Sequence, residues 1–381
     1  MKMDLFDLPK DEIYVKLNEK FNRKLFDRAI NLSGSQSKLA KILKDSNEKF
    51  TQDLKNIRQQ EVSGWYNNYR LLRLDLAKFL IDFTNMSIPD LQQNIEILKG
   101  IGTSKPIYNP KFPIILDYEM GQLLGKICGD GCVQDDNSYT TSYNNKCDEL
   151  IKEFEQLFIK NIGNTNFYER ENNGVKVITV TGLMGKIISS FFDFKHSKTV
   201  PKCIMQGNEN AKRGFLRSIF DDEATVNKIH GEIRLKMKYY NFVSDIKKLL
   251  NNLGIITSEI KKDTSKNRFG KVAYYFTITG RSNLTKLLEM VGFTHPKKMK
   301  RLVNRINSYK EEQYLKGEPQ NLIFNILLKY GPKTAKEIAK IMNRNKRTVQ
   351  FHLDTLKNKD LIFYKKIKRK FNYEYLWVLK K

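Results

Sequence analysis

Histidine and cysteine are scarce in this chain, with four of each among 381 residues. Cys128, Cys132, Cys147 and Cys203 include no C-x-x-C pair, and the histidines do not cluster with them. Neither a structural zinc site nor a disulfide framework is indicated, and the chain suits a reducing compartment. Long apolar runs are missing too. None reaches the ~18 residues that a membrane-spanning helix needs, and the N-terminus lacks the pattern of a secretory signal. Acidic residues are few beside basic ones, 42 Asp and Glu against 68 Lys and Arg, which leaves a formal charge of +26. An excess of that size calls for a polyanionic partner, most often nucleic acid. The expectation is a cytoplasmic, nucleoid-associated protein without membrane contact.

Apolar residues make up 40% of the chain, including 23 Phe and 18 Tyr, so real cores are available to two or three domains. Three of the nine prolines fall in IGTSKPIYNPKFP (101–113), and a second break, YLKGEPQ, covers 314–320. These divide the chain into a helical region (1–105), a centre of two parts (113–210 and 211–312) and a C-terminal part (319–381). Within the first, SQSKLAKIL (35–43) followed by EVSGWYNNYRLLRLDLAKFLIDF (61–83) loosely resembles a helix-turn-helix. DNA binding and plain helical packing both remain open there.

The centre contains an internal repeat. GQLLGKICGDG (121–131) superposes on GFLRSIFDDEA (214–224) at an offset of 93 positions, and Asp130 falls on Glu223. After each copy comes the same succession: strand, strand, helix, strand, strand, helix. Gly121, Gly125 and Gly129 recur every four residues, as do Gly214, Ser218 and Asp222. Each interior glycine costs a helix about 1 kcal/mol relative to alanine. Bare stripes of this kind repay that cost when two helices pack until their backbones touch. Stripe-to-stripe packing would bring Asp130 and Glu223 together at one end. Like charges so placed raise each other's pKa, and a divalent cation with oxygen ligands, Mg²⁺ for choice, resolves the conflict.

In GEIRLKMKYY (231–240), Ile233, Leu235 and Met237 alternate with Arg234, Lys236 and Lys238. Period-two alternation predicts a half-buried antiparallel strand with a basic outer face. The basic segment KKDTSKNRFGK adds Lys261, Lys262, Lys266 and Arg268 to a candidate phosphate-tracking surface. The C-terminal part reads as a winged helix, with three helices followed by a hairpin. Residues 321–381 hold 16 Lys and Arg against 4 Asp and Glu, a difference of +12. Asn345 is placed to cap the third helix, with Val349, Leu353 and Leu356 inward. Lys346, Arg347 and Gln350 then face outward, and Arg and Gln suit guanine and adenine edges. Lys365, Lys366, Lys368 and Arg369 would line the wing.

LLGKICGDG (123–131) and LRSIFDDEA (216–224) resemble the two defining helices of the LAGLIDADG homing endonucleases, in the single-chain form. The flanking FPIILDYEMGQLLG, TVPKCIMQGNENAKRGFLRSIFDDEATV and GF-T-HPKK (292–298) are similar to segments of archaeal-type members. The resemblance spans roughly 113–310. It implies an α+β fold of two pseudo-symmetric αββαββα halves forming a saddle over a long duplex site. Asp130 and Glu223 become the catalytic, metal-binding carboxylates, with backbone oxygens of Gly129 and Asp222 as further ligands. Lys228, Asn145 and Asn241 become candidates for supporting groups. The implied reaction is Mg²⁺-dependent hydrolysis of one phosphodiester on each strand, leaving 3′ overhangs.

Residue 1 is Met and the chain ends VLKK, so a free-standing or intron-encoded member is expected rather than an intact intein. The expected partner is double-stranded DNA, bound by a monomer. Two other readings stay open: a cleavage-inactive DNA-binding transcriptional regulator, and an intron RNA maturase.

Overall fold

The computed structural model describes residues 2–8, 13–46, 50, 57–101, 105–134, 139–180, 182–189, 199–227, 231–263, 272–309, 317–368 and 373–380. Lys228, Lys266, Arg268 and Arg369 lie outside them. The chain divides into two compact units, Met1–Tyr309 and Lys310–Lys381.

The first unit is organised around two helices, Tyr118–Cys128 and Glu209–Glu223. Both begin on capping side chains that satisfy an otherwise orphaned amide. The Asp117 carboxylate accepts from the Met120 N–H at 2.9 Å, and the Asn208 amide oxygen accepts from the Ala211 N–H at 2.8 Å. Their contact is reciprocal. A Cβ on Gly121 would fall on the backbone of Ala211, and one on Gly214 would fall on the backbone of Tyr118. Residues 211 and 118 are again 93 positions apart, so the two contacts are images of one another. Gly125 packs on Phe215 and Ser218, where a Cβ would meet the Phe215 carbonyl oxygen at 2.6 Å. Gly129 lies against Asp222, its own counterpart, so the approximate two-fold axis passes between them.

Each helix feeds a four-stranded antiparallel sheet of identical order. The first runs Gly131–Val133, Thr141–Asn145, Val175–Val180, Tyr168–Asn172; the second runs Ala224–Val226, Ile233–Met237, Ala273–Ile278, Lys261–Asp263. Helices Asp148–Asn161 and Gly182–Ser189 complete the first half, and Tyr240–Asn252 and Arg281–Met290 the second. The α+β architecture of two αββαββα halves is therefore as the repeat predicts.

The N-terminal region differs from the expectation of a helical module ending near residue 105. Helices Glu19–Ser33, Gln36–Asp45, Gln59–Tyr66 and Leu74–Thr84 are present, but so is a sheet of order Leu72–Arg73, Ile13–Leu17, Ile95–Gly100, Ile107–Tyr108. The alternation in IYVKL buries Ile13, Val15 and Leu17, which is strand periodicity. Helices Gln36–Asp45 and Gln59–Tyr66 are separated by residues 46–58, too long a gap for a tight helix-turn-helix. Nor is this region separate from the first half. Lys2–Met3 pairs with Ile114–Ile115, Tyr108 bridges Asn164, and one apolar core runs from Met3 to Ile306.

The second unit has its own core of Ile323, Ile338, Val349, Leu353, Ile362 and Trp377 among others. Helices Glu318–Tyr330, Ala335–Ile341 and Lys346–Asn358 pack on a sheet of order Lys333–Thr334, Tyr373–Leu379, Ile362–Lys368.

Candidate active site

The paired helices end together, and the chain's acids collect there. Asp130 follows the first helix and its carboxylate accepts from the Asn145 amide at 2.9 Å. Asp222 sits on the axis. Its carboxylate accepts from the Tyr143 hydroxyl at 2.7 Å and from the Asp130 backbone N–H at 3.3 Å. Tyr143 and Asn145 come from one strand of the first half, two residues apart and so on one face. The backbone oxygen of Asp130 accepts from the Asn144 N–H at 3.2 Å, which fixes the turn beneath the carboxylate.

Two lysines oppose these charges. Lys126 is wholly buried, ion-paired with Glu153 at 2.8 Å and lying 5.1 Å from the Tyr143 ring centre. Desolvating an ammonium is expensive, and the carboxylate and ring offset that cost. Lys298 donates to the carbonyl oxygens of Phe220, Asp221 and Asp222 at the C-terminal end of the second helix, where the helix dipole is negative. Burial holds the Lys298 ammonium below its ordinary pKa, against the pull of four nearby carboxylates. Asp221 points the other way and accepts from the backbone N–H groups of Thr294 and His295 at 3.0 and 2.8 Å. The HPKK segment is thereby anchored under the site.

The acids are poised to take up protons or a cation. Burial pushes Glu223 up to about 7, and the charge of Asp130 adds to the shift while Lys298 opposes it. Burial raises Asp222 to about 8, with Lys126 pulling it down and Asp130 pushing it further up. Asp130 is raised by burial against the pull of Lys298, Lys126 and the Asn145 hydrogen bond. Beside them opens a cavity of about 600 Å³, lined by Gly129, Glu223, Lys236, Lys238 and Tyr239 among others.

The anticipated residues fare unevenly. Asn145 reaches Asp130, whereas Asn241 lies exposed in the first turn of helix Tyr240–Asn252 and hydrogen-bonds neither carboxylate. The carbonyl of Asp222 accepts from Lys298 at 3.4 Å, while its side chain enters the site. Arg234, Lys236 and Lys261 share the outer sheet face, since Lys236 and Lys261 both pair with Tyr275; Lys262 pairs with Tyr274 and falls on the other. These cations are partly engaged. Arg234 contacts Glu232 at 2.8 Å and the Tyr275 ring, and Lys236 contacts Asp263 at 2.5 Å. On the first sheet Ser142 and Asn144 stand at the places of Arg234 and Lys236, while Arg170, paired with Val177, stands at that of Lys261.

In the second unit, Asn345 caps its helix by accepting from the Arg347 N–H at 2.9 Å. Val349, Leu353 and Leu356 are buried; Lys346 and Arg347 are exposed and Gln350 is half-buried, held to Asp354 at 3.0 Å. Lys365, Lys366 and Lys368 are exposed on the hairpin strand.

Tyr143, Lys126, Glu153 and Lys298 were not foreseen. Lys298 stands inside the noted HPKK run, but its contacts lie 76 to 78 positions away. Lys126 looks like a surface lysine until its helix is buried on every side.

Residues 210–292 match the LAGLIDADG-like domain. The match covers the second half, and the first half repeats its topology strand for strand. The replication factor C small subunit of Methanocaldococcus jannaschii is 29% identical over 201 residues, 49% of this chain and 10% of that protein. The DNA-directed RNA polymerase subunit Rpo1C of the same organism is 27% identical over 256 residues, 63% of this chain and 28% of that protein. The chain thus spans about a tenth to just over a quarter of the length of these relatives. Among solved structures, the homing endonuclease I-DmoI in complex with DNA and Ca is 17% identical, at a TM-score of 0.38 over 50% of this chain and 98% of that one. Full-length DUF199/WhiA from Thermatoga maritima is 11% identical, at a TM-score of 0.37 over 64% of this chain and 92% of that one. No helix among the described residues is long and apolar enough to cross a membrane.

Proposed function

We propose that the protein is a site-specific, metal-dependent endonuclease of double-stranded DNA, with Asp130 and Glu223 as its reacting carboxylates. The observation that carries this is their convergence at the ends of two glycine-packed helices, beside a cation-lined cavity. A divalent cation fits the donor set. No cluster of three or more acidic, histidine or cysteine side chains arranged for a metal occurs among the described residues. Two hard carboxylates suit Mg²⁺, which keeps several waters and completes its shell with phosphate oxygens. Held by Asp130 and Glu223, it would activate a water and stabilise the leaving 3′ oxygen.

The protein's own groups prepare that chemistry. Asn145 fixes the rotamer of Asp130, and Tyr143 fixes Asp222 on the axis. Lys298 offsets part of the negative charge without entering the carboxylate pair. Arg234, Lys236 and Lys261 face outward from the second sheet, where they would track phosphates. We assign the second unit as a winged helix, with Arg347 and Gln350 offered to base edges.

A second reading, a regulator that binds duplex without cutting it, is favoured by one observation. Lys298 already satisfies the carbonyl of Asp222, which removes an oxygen otherwise free for a cation. Selecting random-sequence duplexes by binding in EDTA and then adding Mg²⁺ separates the two. The endonuclease predicts double-strand breaks with 3′ overhangs inside the selected site. A stable footprint and intact strands after Mg²⁺ would establish the regulator instead.

A further inference from the structure

The C-terminal hairpin carries an exposed face of rings and cations apart from Arg347 and Gln350, the groups offered above to base edges. In its register Tyr364 stands opposite Trp377, Lys366 opposite Tyr375 and Lys368 opposite Tyr373. Directly opposed residues of an antiparallel pair share a face, so three tyrosines and two lysines lie on the side that begins at the core residue Trp377. Trp377 is 2% exposed, but beyond it the hairpin outruns the core: Tyr364, Tyr375 and Tyr373 are 40%, 47% and 57% exposed. The Tyr364 ring lies edge-on to Trp377 and Tyr375 at centroid distances of 5.4 and 4.8 Å. Lysine ammoniums cap the ladder. Lys357 is 4.6 Å from the Tyr364 centroid and Lys366 is 4.1 Å from that of Tyr373. Glu374 pairs with Ile367 and falls on the opposite face, so no carboxylate of the described strands interrupts this one.

We propose that this face is a stacking platform for unpaired DNA bases, separate from the duplex-reading helix Lys346–Asn358. Tyr373 and Tyr375 are two residues apart on one strand, hence about 7 Å from each other. That spacing suits successive bases of an extended single strand laid on aromatic faces, with Lys366 and Lys368 opposite them for the phosphates. The neighbouring strand adds Tyr364, Lys366 and Lys368 on the same face, opposite those rings. An ordinary packing ladder would bury its outer rings, and here the outermost ring is the most exposed. Among the described residues the face carries no carboxylate or carboxamide, and the proposal commits to DNA over RNA on that ground. The proposal rests on residues of the second unit alone and holds whether or not the first unit cuts.

The test uses the full chain and fluorescence anisotropy with three labelled probes: an oligo-dT of about 15 nucleotides, a duplex of the same length, and the matching oligo-rU. Tyr373→Ala/Tyr375→Ala should weaken oligo-dT binding by roughly tenfold or more per ring. Duplex affinity should stay within about twofold, and Tyr373→Phe/Tyr375→Phe should keep wild-type affinity for oligo-dT. The proposal is overturned if the alanine pair leaves oligo-dT binding unchanged, or weakens duplex equally. Loss in the phenylalanine pair as severe as in the alanine pair overturns stacking in favour of the hydroxyls. Binding of oligo-rU more than tenfold tighter than oligo-dT overturns the assignment to DNA.

Discussion

Asp130, Asp222 and Glu223 share a small volume at the helix ends, and burial raises the pKa of all three. Folding raises Glu223 from 4.5 to about 7 and Asp222 from 3.8 to about 8, mainly through burial. Between those limits the folded chain binds more protons than the unfolded one, so stability falls as pH rises through the window. In EDTA the melting temperature should therefore drop between pH 5.5 and 8.5. Because protons and cations compete for the same oxygens, Mg²⁺ should raise it at pH 8.5 and change it little at pH 5.5. Calorimetry in the four conditions checks this, and a cation effect of equal size at both values would contradict it. Asp130 and Glu223 were legible as a pair because the repeat puts them in register. Tyr143 was not. Nothing local says that its hydroxyl meets Asp222, 79 positions away.

The helix pair shows how much an element's pattern can reveal. Glycine spacing predicted stripe-to-stripe contact; Gly125 and Gly129 do meet Ser218 and Asp222 of the second stripe, while Gly121 rests on the Ala211 backbone and Gly214 on that of Tyr118. In isolation Gly125→Ala would favour the helix by about 1 kcal/mol. In the pair its Cβ would meet the Phe215 carbonyl oxygen at 2.6 Å and the Ser218 Cβ at 2.8 Å. Overpacking of this sort costs about 1–3 kcal/mol, so the substitution should lower the midpoint of urea unfolding. A raised midpoint would show that the helices are not in close contact. The N-terminal sheet was harder to read for a physical reason. Leu72–Arg73 and Ile107–Tyr108 are two residues each, too short for a period, and only tertiary pairing makes them strands. The bridge from Tyr108 to Asn164 and the pairing of Lys2–Met3 with Ile114–Ile115 tie this region to the first half, across what the prolines at 106, 110 and 113 had marked as a boundary.

At the scale of the molecule, the repeat predicted symmetry and the structure adds its limits. The two sheets share strand order but differ in charge on their second strands, where Arg234 and Lys236 answer to Ser142 and Asn144, while Lys261 answers to Arg170. The polar network is likewise one-sided, with Tyr143 and Asn145 both on the first sheet. Under the function proposed above, such inequality would let the two halves meet different sequences of a duplex. The account stands on the claim that the Asp130–Glu223 pair performs the chemistry. Its most direct test is strand-resolved cleavage of a duplex selected by binding, in Mg²⁺, by the wild type and by Asp130→Asn/Glu223→Gln. The account predicts cuts on both strands by the wild type and none by the double variant, with duplex affinity kept within about threefold. Cutting that persists in the double variant would contradict it.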